Sequence, residues 1–371
     1  MSMFSQLPAS AYVAFATSLL CALVLVITKR WHGHFSFDGA KGIQKFHTEA
    51  TPRIGGVAIV LGIAAAYLVA KPERQTLLGP VILAGCPAFF FGLLEDITKQ
   101  VSVLTRLIAT MVSGVLGWYI TGVSITSLDM PGLDALLSYS ILSVLFTAFA
   151  IGGVANAINI IDGFNGLASG MAILALSGIA AIGYSVGDIN LAFACLSLAA
   201  AIMGFFVLNW PFGKIFLGDG GSYFCGFALA WSAVLLVERN TVITPFAALL
   251  ICVHPISEVL FSIYRRKLRS LNPGAPDRQH LHSLILRRYI RKKVSPRMRN
   301  SIAGIFLACM SLPAVLMAYL ARQNALFAFV LCVIFMLMYV AIYARIVRHR
   351  WCSPIGFLLF RPQAQKFRNK V

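Results

Sequence analysis

Apolar runs of roughly 17–22 residues, long enough to cross about 30 Å of hydrocarbon as helix, recur along the whole chain. Eleven are legible: 9–28, 55–70, 77–94, 104–122, 137–155, 169–186, 190–208, 221–237, 244–263, 302–320 and 326–344. The second is short, and Pro245 and Pro255 in the ninth predict a kinked or broken helix there. Such a chain is expected to be all-α, a polytopic membrane protein of about eleven helices. Composition agrees: 59% of residues are hydrophobic and 12% charged, whereas a soluble domain carries about a quarter charged. With 27 Phe the chain is also the opposite of a disordered one. The first run reads as a span and not a cleaved leader, because no Lys or Arg precedes it, Lys29-Arg30 follow it, and no small-x-small site closes it.

The formal net charge of +18 fits nucleic acid, acidic lipid or plain topology equally well until its distribution is read. Basic residues after the first run place the N-terminus outside and 29–54 in the cytoplasm. Eleven crossings then leave the C-terminus inside. With that orientation 27 of the 31 Lys and Arg fall on the cytoplasmic side, and Lys71, Arg74, Arg239 and Arg322 on the outer one. Topology explains the charge, and no nucleic acid is expected as a partner. The loop 264–301 alone carries 12 of these residues, and the basic tail 345–371 suits anionic membrane lipid. The eight cysteines are scattered, with no CxxC pair, so neither a disulfide framework nor a zinc site is indicated.

The 13 acidic residues can be placed one by one. Glu73, Asp129, Asp134, Asp188 and Glu238 fall in outer turns or near span ends, where they read as solvated loop residues. Asp38, Glu49, Glu95, Asp96, Asp162, Asp219, Glu258 and Asp277 gather at the cytoplasmic span ends or inside a span. A carboxylate there costs a few kcal/mol unless paired or coordinated. Several on one membrane face read as ligands for a hard cation that leaves positions for phosphate. Helix N-capping is the competing account of each. Glycines 163, 166, 218, 220 and 221 flank these acids and would let backbone N–H groups approach an anion. The amides of Asn156, Asn159 and Asn165 could read a base or sugar.

The pair His280 and His282, in the most basic loop, suits a pyrophosphate; its spacing is also that of a zinc pair, without a nearby His or Cys partner. Glu258 lies four residues after His254 on one helical face, where a structural pairing inside the bundle and a substrate contact are both open.

These residues fall into a known pattern. Lys45-Phe46-His47 with Thr51 to Gly56, Glu95-Asp96 with Thr98-Lys99, Asn156 to Gly166, Asn209 with Phe216 to Ser222, and Pro276 to His282 stand in order, each on the cytoplasmic side. From about Lys45 to Arg291 the chain resembles the polyprenyl-phosphate N-acetylhexosamine-1-phosphate transferases of glycosyltransferase family 4, undecaprenyl-phosphate GlcNAc-1-phosphate transferases among them. These multi-pass enzymes of the bacterial cytoplasmic (inner) membrane start O-antigen and other lipopolysaccharide or cell-wall glycans.

The resemblance implies a single transmembrane catalytic domain over 1–344, holding the 264–301 loop and followed by the tail. It implies UDP-N-acetylhexosamine and undecaprenyl phosphate as substrates, and magnesium, with manganese as a substitute, as cofactor; it leaves room for a homodimer. Glu95, Asp96, Asp162 and His280 would be catalytic and Asp219 the metal ligand. Lys45, Asn159, Asn165, Asn209, Phe216, Asp277, Arg278 and His282 would bind substrate, with Phe216 against uracil. Three positions depart from the family pattern: Glu95 stands for the first Asp of its Asp-Asp, Asn165 for an Asp, and Ser283 for a His. A secondary transporter or flippase is the rival class, but its acids would lie near the midplane, often within repeats.

Overall fold

The computed structural model describes residues 7–37, 51–270, 279–291, 293–296 and 298–348. All eleven apolar runs form helix. In chain order the helices are α1 (Ala9–Ile27), α2 (Lys29–Ser36), α3 (Gly55–Val69), α4 (Pro72–Thr98), α5 (Val103–Thr121), α6 (Pro131–Leu137), α7 (Ser140–Ile161), α8 (Leu167–Ser185), α9 (Ile189–Asn209) and α10 (Gly218–Arg239). They continue with α11 (Pro245–Ile251), α12 (Val253–Leu268), α13 (Leu281–Ile285), which runs into a π-helical turn at Leu286–Ile290, then α14 (Arg299–Cys309), α15 (Leu312–Ala321) and α16 (Ala325–Arg348). Among the described residues there is no strand, only a bridge between Phe37 and Pro52.

Nine helices among the described residues are long and apolar enough to cross a membrane, counting α14–α15 as one. The pair α11–α12, bent by 75°, makes a tenth. The break falls where the two prolines predicted it: Pro255 cannot donate to the carbonyl four residues back, so the helix turns at Cys252. The remaining run, the second, forms α3 with 15 residues and extends about 22 Å, less than the hydrocarbon thickness.

Helix α10 is the shaft of the bundle. Every residue from Gly218 to Leu236 is buried, as expected of a helix apolar on all sides. It packs against α4, α7, α8, α3, α5 and α9. Its first turn meets its neighbours backbone to backbone. A Cβ on Gly56 would lie 2.4 Å from Gly221 Cα, and one on Gly92 2.6 Å from the carbonyl of Asp219. Pro87 lies inside α4, and the next amide, Ala88 N, donates to Ser113 Oγ of α5 at 3.1 Å, so the neighbouring helix supplies an acceptor there.

Of the acids at the other end, Asp129, Asp134, Asp188 and Glu238 are not the solvated loop residues their positions suggest, while Glu73 is exposed. Asp188 caps α9 at Leu191 N and accepts two bonds from Arg239, at 2.7 and 3.1 Å. Glu238 accepts from Thr126 N and Oγ1, Asp134 from Leu128 N and Met130 N, and Asp129 from Thr244 Oγ1. Short turns between spans leave backbone amides unpaired, and these carboxylates satisfy them.

Gly56→Ala forces α3 and α10 apart where their backbones touch. A loss of about 1–3 kcal/mol is expected in detergent unfolding, while Gly132→Ala, with nothing within 4 Å of the added Cβ, leaves stability unchanged.

Candidate active site

Two helix N-termini meet at one end of the bundle. The first amides of α3, Gly55 N and Gly56 N, donate to the carbonyls of Phe216 and Leu217, both at 3.0 Å. The first amides of α10, Asp219 N and Gly220 N, donate to Oδ1 and Oδ2 of Asp96, both at 2.9 Å. Leading amides of a helix lack intrahelical partners, and a carboxylate is a strong acceptor at the positive end of the dipole. Asp96, from the last turn of α4, therefore caps a helix other than its own. Gly218 makes the approach possible: its φ is +75°, and a Cβ there would lie 2.0 Å from Arg53 O and 2.5 Å from Asp96 Oδ2.

Arginines meet the two carboxylates. Arg53 Nη2 is 3.1 Å from Asp219 Oδ1 and 3.4 Å from Asp96 Oδ1. Arg106, from the first turn of α5, contacts Asp219 Oδ2 and lies over the Tyr223 ring, 5.8 Å from its centroid. Two acids and two guanidinium groups thus form a near-neutral cluster. Asp219 is the more open carboxylate, its side chain 12% exposed against 1% for Asp96. Asp162, just past the end of α7, completes this side. Burial raises its carboxyl from 3.8 to about 7, the Asp96 charge adds to that, and Arg53 opposes it.

The other predicted residues divide by what they touch. Asn159 donates to Ser222 Oγ at 2.8 Å, linking the end of α7 to α10. Phe216 is half-buried, its backbone held between Pro52 O and Gly55 N. His282 packs edge-on against Phe164, with centroids 5.1 Å apart, and stacks on His280 at 5.2 Å, which brings the histidine pair to the loop that follows Asp162.

Asn165 and Asn209 work on the protein itself. Asn209 accepts from Gly166 N at 2.6 Å and donates to Ile215 O at 2.8 Å; Asn165 Nδ2 donates to Ser301 Oγ at 3.1 Å, and Asn165 N donates to Asn300 Oδ1 at 2.8 Å. Glu95 is turned into the α4–α5 loop, where Oε2 accepts from Val101 N at 2.7 Å. Lys45, Asp277 and Arg278 lie outside the described residues.

In the sequence Arg53 falls within the Thr51 to Gly56 motif without a role of its own, and Arg106 reads only as a topology charge. Their signals were present: Arg53 precedes the Gly55-Gly56 pair, and Arg106 is the lone charge within the apolar run that forms α5.

Among the described residues no three His, Cys, Asp or Glu side chains are grouped to hold a metal ion. The donors fit a hard cation brought in with phosphate oxygens, which asks for only one or two carboxylates. Asp219 supplies one, and the guanidinium groups on both of its oxygens mark where positive charge is favoured.

The sequence profile of glycosyl transferase family 4 matches residues 78–237, the stretch that carries Asp96, Asp162, Asp219 and Arg106. Over that stretch, a little under half of its length, the chain is similar to glycosyl transferase family 4. It is 29% identical over 330 residues to a probable undecaprenyl-phosphate N-acetylglucosaminyl 1-phosphate transferase of Bacillus subtilis (strain 168), covering 87% of this chain and 89% of that protein. It is 28% identical to the undecaprenyl-phosphate alpha-N-acetylglucosaminyl 1-phosphate transferase of Yersinia pestis, over 66% of this chain and 68% of the relative. Against the Escherichia coli (strain K12) protein of the same name the identity is 29%, over 66% and 67%. The matched region runs from the second turn of α4 to the last turn of α10.

Two consequences are measurable. Asn at position 96 keeps one acceptor, so Asp96→Asn leaves an α10 amide and Arg53 without a carboxylate; unfolding should show a loss of about 2–4 kcal/mol. Asp162 binds its proton more tightly folded than unfolded, so its contribution to stability is complete below about pH 4 and declines as pH rises toward 7. Asp162→Asn cannot ionise, and its thermal midpoint should gain on the parent between pH 5 and 8.

Proposed function

We propose that this protein transfers an N-acetylhexosamine 1-phosphate from a UDP-sugar to undecaprenyl phosphate, releasing UMP and starting a lipid-linked cell-surface glycan such as O-antigen. The observation that carries the reading is the cluster at the head of α10: a fixed, amide-bound carboxylate, a more open one, and two arginines at the rim of an apolar bundle. The relatives named for transfer of N-acetylglucosaminyl 1-phosphate to undecaprenyl phosphate support UDP-GlcNAc as the first donor to test.

The reaction is an in-line displacement at the β-phosphorus. An oxygen of the lipid phosphate forms a new P–O bond as the bond from the β-phosphorus to the bridging oxygen breaks, and the electron pair leaves with UMP. No glycosidic bond changes. A phosphate monoester has its second pKa near 6 and is largely dianionic at neutral pH, so the attacking oxygen needs positioning more than a strong base. Arg53 and Arg106, balanced by Asp219 and Asp96, would turn their donors to the incoming phosphate oxygens. Asp96 stays with the α10 amides and holds the frame. Magnesium or manganese, when bound at Asp219, supplies charge neutralisation on the pyrophosphate.

The basic residues favour a cytoplasmic site with the N-terminus outside and the C-terminus inside, and α3 as an eleventh, short crossing in the bacterial inner membrane. For the polyprenyl chain, an apolar cavity of about 270 Å³ opens beside the α11–α12 bend, lined by Phe146, Ile151, Val154, Ala233, Leu249 and Ile256. A transporter is disfavoured, since the described acids other than Glu258 lie at or beyond the ends of the spans.

Purified protein with UDP-GlcNAc, undecaprenyl phosphate and magnesium should release UMP only when the lipid is present, and the lipid product should gain the mass of the sugar phosphate. Asp219→Asn should cut turnover by about 10²-fold or more. Full turnover and unaltered metal dependence in that variant would remove Asp219 from the reaction, and movement of lipid without UMP would favour the transporter.

A further inference from the structure

A second buried carboxylate network lies beside the acid–arginine cluster. Glu258, in the middle of α12, is 3% exposed. Its Oε1 accepts from Leu281 N and faces His280 Nδ1, both at 2.9 Å, and its Oε2 accepts from Tyr339 OH of α16 at 2.7 Å. An ionised carboxylate inside a span costs a few kcal/mol unless its partners repay it. The same loop is already tied down without it: Tyr343 OH donates to Gln279 O at 3.1 Å, and Arg265 reaches that carbonyl as well. Holding the backbone is therefore not what sets Glu258 apart.

The difference lies in the ring. A carboxylate has no proton to give, so opposite Glu258 the His280 Nδ1 has to be the donor. A Gln could either donate or accept there, and would leave the tautomer open. Tyr339 fixes the second oxygen, and the carboxylate cannot rotate away. The parallel stack on His282, 9° from coplanar, and the Phe164 edge then set the plane of the pair against the loop after Asp162.

We propose that Glu258, braced by Tyr339, is a positioning residue for His280: it keeps Nδ1 protonated and so holds Nε2 as an acceptor for a hydroxyl or amide N–H of the bound sugar nucleotide. The inference rests on the phosphoryl-transfer reading above and names how that site orients its histidine. No bond to Glu258 is made or broken in the reaction, and its effect reaches substrate only through the ring.

The test uses the full chain, labelled with ¹⁵N-histidine, in lipid nanodiscs. His280 is assigned by the signal lost in His280→Gln. Nitrogen shifts should show Nδ1 protonated in the parent and a mixture of tautomers in Glu258→Gln. Turnover with UDP-GlcNAc should fall by about 10- to 100-fold in Glu258→Gln, with KM for the sugar nucleotide little changed. Should Glu258→Gln fail to fold, Tyr339→Phe carries the test, with a drop in kcat of about 3- to 10-fold at unchanged KM. An unprotonated Nδ1 in the parent, or parental kcat in the folded variant, overturns the proposal while the transferase reading stands. A parent that shows the expected tautomer but releases no lipid-dependent UMP from any UDP-N-acetylhexosamine overturns the transferase reading, and this role for Glu258 with it.

Discussion

Asp96 sits at 1% exposure between helices that are otherwise apolar, and a carboxylate in that position is tolerated only if all its acceptor sites are served. Serving them draws three distant stretches of chain together. The α10 amides must reach both oxygens, which demands Gly218 in a left-handed turn. The α10 head must touch α3 and α4 without side chains between, which demands Gly56, Gly92 and Gly221. Arg53, leading into α3, must then come within 3.4 Å to balance the charge. One buried acid thus fixes the relative positions of residues 51–56, 92–96 and 218–221.

The two ends of the bundle use carboxylates for different purposes. At one end Asp188, Glu238 and Asp134 accept backbone or arginine donors that hold turns to helix ends. At the other, Asp219 spends both oxygens on arginine side chains, and side chains can exchange partners where a helix backbone cannot. Arginine bonds to carboxylate and to phosphate with the same forked geometry. An anion entering the cluster finds donors already aimed and charges already balanced, so occupation rearranges contacts without unfolding a helix.

Hydropathy made the helices legible: all eleven runs are helical, and Pro245 and Pro255 marked the bend at Cys252. Length sets α3 apart: the run already read as short forms a helix of 15 residues, less than the hydrocarbon thickness. With 8 and 5 residues, α2 and α13 are too short for a periodicity to be read in advance. In the site, the gathering of Asp96, Asp162 and Asp219 was legible from the rarity of acids on one face. Arg106 was hidden by the positive-inside bias, which gives every cytoplasmic cation an ordinary reason to be there, and Arg53 stood in a quoted motif without a role. Likewise, N-capping and substrate chemistry were weighed as rivals for these carboxylates, while the structure gives Asp96 a capping task on a foreign helix that also builds the site.

The departures at Glu95 and Asn165 make sense in the same terms. Glu95 reaches across the α4–α5 turn to Val101 N, six residues on, a span helped by its extra methylene over Asp. With Lys99 in a left-handed conformation at the end of α4, that bond closes the loop that delivers Arg106 to Asp219. Asn165 lies in a relay in which its Nδ2 donates to Ser301 Oγ, and Ser301 Oγ donates to Pro211 O. An Asp at 165 has no proton to offer at neutral pH and would set a negative charge against that hydroxyl oxygen. The relay ties the Asp162 loop to the segment after α9 and to the start of α14. Each substituted residue therefore uses the feature its Asp counterpart lacks, reach in one case and an N–H donor in the other, to hold a loop that the charge cluster depends on.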